Sequence, residues 1–276
     1  MIDTGAAVSL TRALSAVGAL IGALEVLVAS RHYCSDGIFS WDVFRTQNAL
    51  LASGRWSACL DPLLSGKGVV AFNGVKAGAA CLLLAPGLPN AVYAGACLLI
   101  VLAHCLSMGR GGVGQDGSDQ MLLVVTSGLF LFFWQPDGLI GWSGLWFIAA
   151  QALLAYLVAG SAKLASPAWR SGRALRLIFH TATFGSRSIS GLLDRWPILD
   201  TIGCWSVIAV ECGFVTVLVM PPGASAAVIA IGVSFHAGCA LTMGLNCFFW
   251  EFVATYPIVL ACASAAHAFL SAPAGR

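Results

Sequence analysis

Long apolar runs interrupted by short polar punctuation make up most of this chain. A window of about 20 residues, the length that crosses a hydrocarbon core of roughly 30 Å, isolates runs at residues 8–29, 69–86, 89–107, 119–134, 142–162, 202–220, 224–243 and 247–270. The pattern predicts an all-α fold: a polytopic integral membrane helical bundle of about eight transmembrane or half-membrane helices, in a single domain covering residues 1–276. The runs 69–86 and 119–134 are short, and a re-entrant or paired half-helix fits them as well as a full crossing. Pro86-Gly87-Leu88-Pro89 and Pro221-Pro222 read as hairpin breakers, because proline lacks the amide donor that continues a helix. The first run is long enough to span a bilayer, so it reads as a retained anchor and not as a removable signal peptide. No internal repeat or low-complexity block is visible.

Composition narrows the class. The chain is 59% hydrophobic and 9% charged, where an ordinary soluble domain carries roughly 25% charged residues. A soluble globular enzyme cannot hide so much apolar surface. The 31 Gly and 9 Trp suit helices packed closely in a membrane, with aromatic rings at the lipid–water boundary. A net charge of +2 with no basic face excludes nucleic acid as a partner and leaves membrane lipid and lipophilic molecules. Most of the 10 Cys lie inside apolar runs, where Cys acts as a small hydrophobe, and no C-x-x-C spacing marks a zinc or dithiol site. Cys34 and Cys59 share one polar stretch and would pair only in an oxidising compartment.

The few charges are unevenly placed. If all eight runs cross, one set of loops collects Arg31, Arg45, Arg55, Lys67, Arg110, Arg170, Arg173, Arg176, Arg187 and Arg195, and the positive-inside rule makes that set cytoplasmic. The opposite set, with both termini, holds only Asp3, Asp137 and Arg276.

The informative ionisable residues in or at the ends of the runs are Arg12, Glu25, Lys76, His104, Asp119, Lys163, Glu211, His236 and Glu251. An unpaired Asp, Lys or Arg at a helix centre costs about 2.5–3.5 kcal/mol on insertion scales, so most should face one another or a wet cavity. Structural ion pairing and snorkelling account for any one of them singly, Arg12 and Lys76 above all, since both lie near run ends. Glu211, His236 and Glu251 have long apolar flanks and are the best candidates for a buried site. Asp119 follows Gly117-Ser118 at the start of a run, where its carboxylate suits the free amides of a helix N-terminus.

The segment Tyr156-Leu-Val-Ala-Gly160-Ser-Ala-Lys163-Leu164 sets four small residues before a lysine. Small residues admit a neighbouring helix, and the lysine then either complements the negative helix end or, partly desolvated, works as a base. With Trp169-Arg-Ser-Gly172 this run resembles the Y-x-x-A-G-x-x-K-L…W-x-x-G segment of vitamin K-dependent gamma-carboxylases and their bacterial relatives, which share the horizontally transferred transmembrane (HTTM) domain. Phe235-His236, followed by Met243-Gly244-Leu245 and Phe248-Phe249-Trp250, is similar to that family's F-H segment. Asp116-Gly117-Ser118-Asp119-Gln120, with Trp205 to Glu211, resembles the small bacterial branch of sporulation-delaying protein B-like members.

The resemblance implies that Lys163 takes the place of the base that deprotonates reduced vitamin K and that His236 lies near the reacting groups; for Glu211 the sequence leaves two partners open, Lys163 and Arg12. The resemblance also implies a reduced, vitamin K-like quinone as cofactor, a secreted or antimicrobial precursor peptide with a partner protein, and a bacterial inner membrane. The chain departs from the carboxylases in having Ala162-Lys163 for adjacent lysines, one extra residue between Lys163 and Trp169, and nothing matching the large lumenal domain. Positive-inside counting puts Lys163 at the cytoplasmic boundary, whereas carboxylases work on the lumenal side. Three functions follow: a peptide-modifying enzyme with Lys163, His236 and Glu211 as catalytic residues; a non-catalytic accessory that binds a hydrophobic peptide or lipid for a partner; and a quinone-linked redox subunit.

Overall fold

A computed structural model describes residues 3–47, 57–111 and 117–271; Arg55, Asp116 and Arg276 lie outside them. The described residues are helical, with no strand. In chain order they form α1 (Thr4–Val28), a 3-10 turn (Ser30–Tyr33), α2 (Trp41–Gln47), α3 (Ser57–Leu64), α4 (Gly66–Leu84), α5 (Asn90–Arg110) and α6 (Ser118–Trp134). These are followed by α7 (Leu139–Ala165), α8 (Pro167–Arg170), α9 (Ala174–Phe179), α10 (Arg187–Arg195), α11 (Pro197–Gly213) with a 3-10 extension (Phe214–Leu218), α12 (Pro222–Met243) and α13 (Asn246–Ser271). All eight apolar runs are therefore helices. Seven are long and apolar enough to cross a membrane, and the chain is a multi-pass membrane protein. The run at 69–86 is one unbroken helix of 19 residues, while α6, with 17, is about 26 Å long at a rise of 1.5 Å per residue.

The chain folds as two compact units, one of Ser9–Leu145 and the other of Met1–Val8 with Trp146–Arg276. In the first, α4 packs on α5 and α5 on α6. The Pro86-Gly87-Leu88-Pro89 breaker is a turn, and its loose backbone groups are answered by side chains. Arg12, on α1, donates through its guanidinium to the carbonyls of Leu83 and Ala85, and the same guanidinium lies 4.3 Å from the centroid of the Tyr93 ring. The Tyr93 hydroxyl donates to Ala85 O at 2.8 Å and accepts from Leu88 N at 3.1 Å. A helix C-terminus presents unpaired carbonyls and a negative dipole end, and a cation satisfies both. The expectation that Arg12 snorkels to water is thus replaced: it is 8% exposed and closes a turn. Lys76, the other expected snorkeller, is 5% exposed against His104.

In the second unit α12 packs on α13, and both pack on the Phe214–Leu218 turn; α8 and α9 pack on α11. Proline opens both α11 (Pro197) and α12 (Pro222), the position where a missing amide donor costs nothing. Cys34 and Cys59 are exposed free thiols.

Close helix approach in the first unit depends on an absent side chain. A Cβ on Gly144, in α7, would run into the carbonyl oxygen of Gly128 on α6, whereas one on Gly78 in α4 meets nothing within 4 Å. Gly144→Ala should lower the melting temperature of the detergent-solubilised protein by the equivalent of about 1–3 kcal/mol of overpacking, and Gly78→Ala should leave it unchanged or raise it. Equal melting temperatures for the two variants would dismiss this contact as what sets the α6–α7 spacing.

Candidate functional site

The second unit gathers Lys163, Glu211 and His236. Lys163 lies in the last turn of α7 and Glu211 near the end of α11. Its Nζ lies 2.9 Å from Glu211 Oε1, to which it donates, and 2.8 Å from Oε2. Of the two partners left open for Glu211, Lys163 is the one it has. The small residues before the lysine explain the approach: a Cβ on Gly160 would fall 2.7 Å from Cys212 N and 3.0 Å from the Glu211 carbonyl carbon. Any side chain at 160 would push α11 away and lengthen the pair. The lysine side chain is 23% exposed and the carboxylate side chain 7%, so the pair has one open flank. Over that amine, 5.3 Å from Nζ, sits the ring of Trp169 in α8, which gives the tryptophan of the sequence motif a physical task.

His236, on α12, is 1% exposed. Its Nε2 and the Tyr156 hydroxyl are 2.6 Å apart, and that hydroxyl also hydrogen-bonds the Tyr256 hydroxyl at 2.5 Å. Phe252 stacks on the imidazole with centroids 4.7 Å apart, and Phe214 stacks on Tyr156 at 3.9 Å. His236 Nδ1 has no hydrogen-bond partner among the described residues. Helical periodicity ties this cluster to the ion pair. Tyr156 precedes Lys163 by seven residues, two turns on the same face of α7, and Cys239 follows His236 by three on α12. Tyr156 lies within electrostatic reach of Glu211, and Cys239 of both Glu211 and Lys163. Four helices thus deliver a cation, a carboxylate, an imidazole and two phenols to one region: α7, α11, α12 and α13.

Glu251, in α13, is 2% exposed and directly precedes Phe252, whose ring stacks on His236. The other candidates go elsewhere. Glu25 is exposed near the end of α1, and Arg12 serves the turn described above. Asp119 is the second residue of α6, and Gly117 is its N-cap. The Asp119 backbone oxygen lies 3.0 Å and Oδ1 3.3 Å from His104 Nε2, while His104 Nδ1 lies 3.4 Å from Lys76 Nζ. With its proton on Nε2, His104 donates to Asp119 and accepts from Lys76, so the first unit has a Lys–His–Asp chain of its own.

Sequence reasoning did not single out Tyr156 or Tyr256 as site residues. The signal for Tyr156 was its seven-residue spacing from Lys163; Tyr256 carried none. No family model, curated protein or solved structure matches this chain.

Two outcomes follow from the geometry. Lys163→Met leaves a buried carboxylate without its cation and should destabilise the solubilised protein by about 3 kcal/mol, whereas Lys163→Met/Glu211→Met should recover most of the loss; a double variant no better than the single one would mean that the pair does not hold α7 to α11. Tyr156→Phe strips a partner from both His236 and Tyr256 and should cost about 1–3 kcal/mol, while Tyr256→Phe keeps the His236 bond and should cost less. The reverse order in thermal melts would contradict the arrangement of this hydroxyl chain.

Proposed function

We propose that this chain is an HTTM-type membrane enzyme that matures or modifies a secreted peptide by gamma-carboxylase-like proton-abstraction chemistry, with Lys163 as base. The observation that carries the reading is the Lys163–Glu211 contact at 2.8 Å, with the amine partly open on its outer flank and the carboxylate buried behind it. In a low-dielectric site the desolvation cost of two charges brings the neutral amine–acid pair closer in free energy to the ion pair than it is in water. Passing the ammonium proton to Glu211 leaves Lys163 a free amine facing the open flank, and the amine can then take a proton from a substrate hydroxyl.

A reduced quinone suits these residues: Lys163 accepts the hydroxyl proton, and Trp169, 5.3 Å from Nζ, offers an aromatic face. When bound, such a group supplies an acidic hydroxyl whose anion reacts with oxygen. His236, held through Nε2 by Tyr156, keeps its Nδ1 for a polar atom of the substrate. The precursor peptide arrives with a partner protein, and the setting is a bacterial inner membrane.

The test is turnover of a reduced naphthoquinone under oxygen by membranes carrying the wild-type chain, followed by chromatography. Lys163→Ala should lower the rate by about 100-fold or more, the usual scale of general base catalysis, and Glu211→Gln should lower it less. Undiminished turnover by Lys163→Ala would remove the base. Absence of turnover in the wild type, together with retention of the precursor peptide on the membrane, would transfer the reading to an accessory that binds a hydrophobic peptide.

A further inference from the structure

The first unit contains a cavity that the Lys163 chemistry does not use. It has a volume of 340 Å³, at the lower end of the range of about 300–1,000 Å³ usual for small-molecule sites. Its walls are mainly apolar and aromatic, with Val26, Tyr33, Phe39, Phe44 and Phe72 among them, and Asn73, Ser107 and Arg110 are polar residues in them.

Asn73 and Arg110 are both buried. Asn73 is 2% exposed; its Nδ2 donates to Val69 O at 3.0 Å, and its Oδ1 has no hydrogen-bond partner among the described residues. Arg110 is 4% exposed. Its Nε donates to Leu64 O at 2.9 Å and its Nη2 to Phe39 O, and its guanidinium lies over the rings of Tyr33 at 4.9 Å and Phe44 at 5.6 Å. Among the described residues the partners of Arg110 are carbonyls and aromatic faces, with no ion-pairing carboxylate. A buried guanidinium and an acceptor without a donor thus share one mainly apolar cavity, and neither has an oppositely charged or donating side chain among the described residues.

We infer that this cavity binds an amphipathic oxyanion: a molecule with an apolar body for the aromatic walls, one negative oxygen group for Arg110, and an adjacent hydroxyl to donate to Asn73 Oδ1. Phosphate beside a glycerol hydroxyl, as in phosphatidylglycerol, has this chemistry, and so does the carboxylate of a 2-hydroxy fatty acid. The volume suits a headgroup and the first carbons of a chain. Asn73 and Phe72 lie one turn before Lys76 on α4, and Ser107, also in the wall, lies one turn after His104 on α5, so the bound headgroup is neighbour to the Lys76–His104–Asp119 chain.

The experiment is a melting titration of the full chain in a neutral maltoside detergent, with short-chain phosphatidylglycerol, the matching phosphatidylcholine and 2-hydroxydecanoate as probes. Saturable stabilisation by phosphatidylglycerol, by 2-hydroxydecanoate or by both, and none by phosphatidylcholine, is expected, and the two active probes separate a bilayer source from a free one. Asn73→Leu removes the orphaned oxygen, so it should melt no lower than wild type yet weaken the active probe by roughly tenfold, one hydrogen bond's worth. Arg110→Gln should abolish the response, and should that variant fail to fold, the Asn73→Leu comparison decides alone. Equal stabilisation by all three probes, stabilisation by none, or unchanged affinity in Asn73→Leu would overturn the inference.

Discussion

Most polar groups that this chain carries into an apolar surrounding are answered by another part of the chain, and the structure depends on that requirement. Lipid offers no hydrogen bonds, and an unsatisfied backbone group there costs several kcal/mol. The chain meets the demand in two ways. At the ends of helices it uses arginine on bare carbonyls: Arg12 on Leu83 and Ala85, Arg110 on Leu64 and Phe39. Between helices it sets side chains against one another, as with Lys163 and Glu211.

The two solutions differ in what they leave free to react. A guanidinium bound to carbonyls and laid on aromatic rings is committed to fixed acceptors, so Arg12 is a clamp. An amine against a carboxylate is joined to it by a hydrogen bond between two ionisable side chains, and Gly160 brings the backbones close enough to hold them together. The neighbouring Tyr156–His236 contact extends this arrangement, because phenol and imidazole both donate and accept. Phe252 and Phe214 stack on these rings and fix their planes, which keeps a chain of small, movable protons on a rigid support.

Much of the architecture was legible in the sequence because spans are written in composition. Each of the eight apolar runs is a helix, and the Pro-Gly and Pro-Pro breakers fall at turns. The short helices α2, α3, α8, α9 and α10 escaped, since four to nine residues of mixed polarity give no stable period. The burial of Glu211, His236 and Glu251 was legible for the same reason as the spans: long apolar flanks leave a polar residue nowhere wet to go. Partner choice was not. Arg12 and Lys76 stand near span ends, which is all that snorkelling requires, and only the fold shows that Arg12 meets a turn more than 70 residues away and that Lys76 meets His104. Tyr256 joins Tyr156 across 100 residues, a contact that no local spacing encodes.

The Arg12 clamp also has a direction in time. A membrane protein is delivered to the bilayer from its N-terminus, and Arg12 leaves the ribosome long before the turn it closes. The first helix is therefore waiting when the α4–α5 hairpin enters, with a cation ready for carbonyls that would otherwise face hydrocarbon. In this chain α1 thus carries the group that answers the open carbonyls of the α4–α5 turn, and a generic apolar segment in its place would leave them bare.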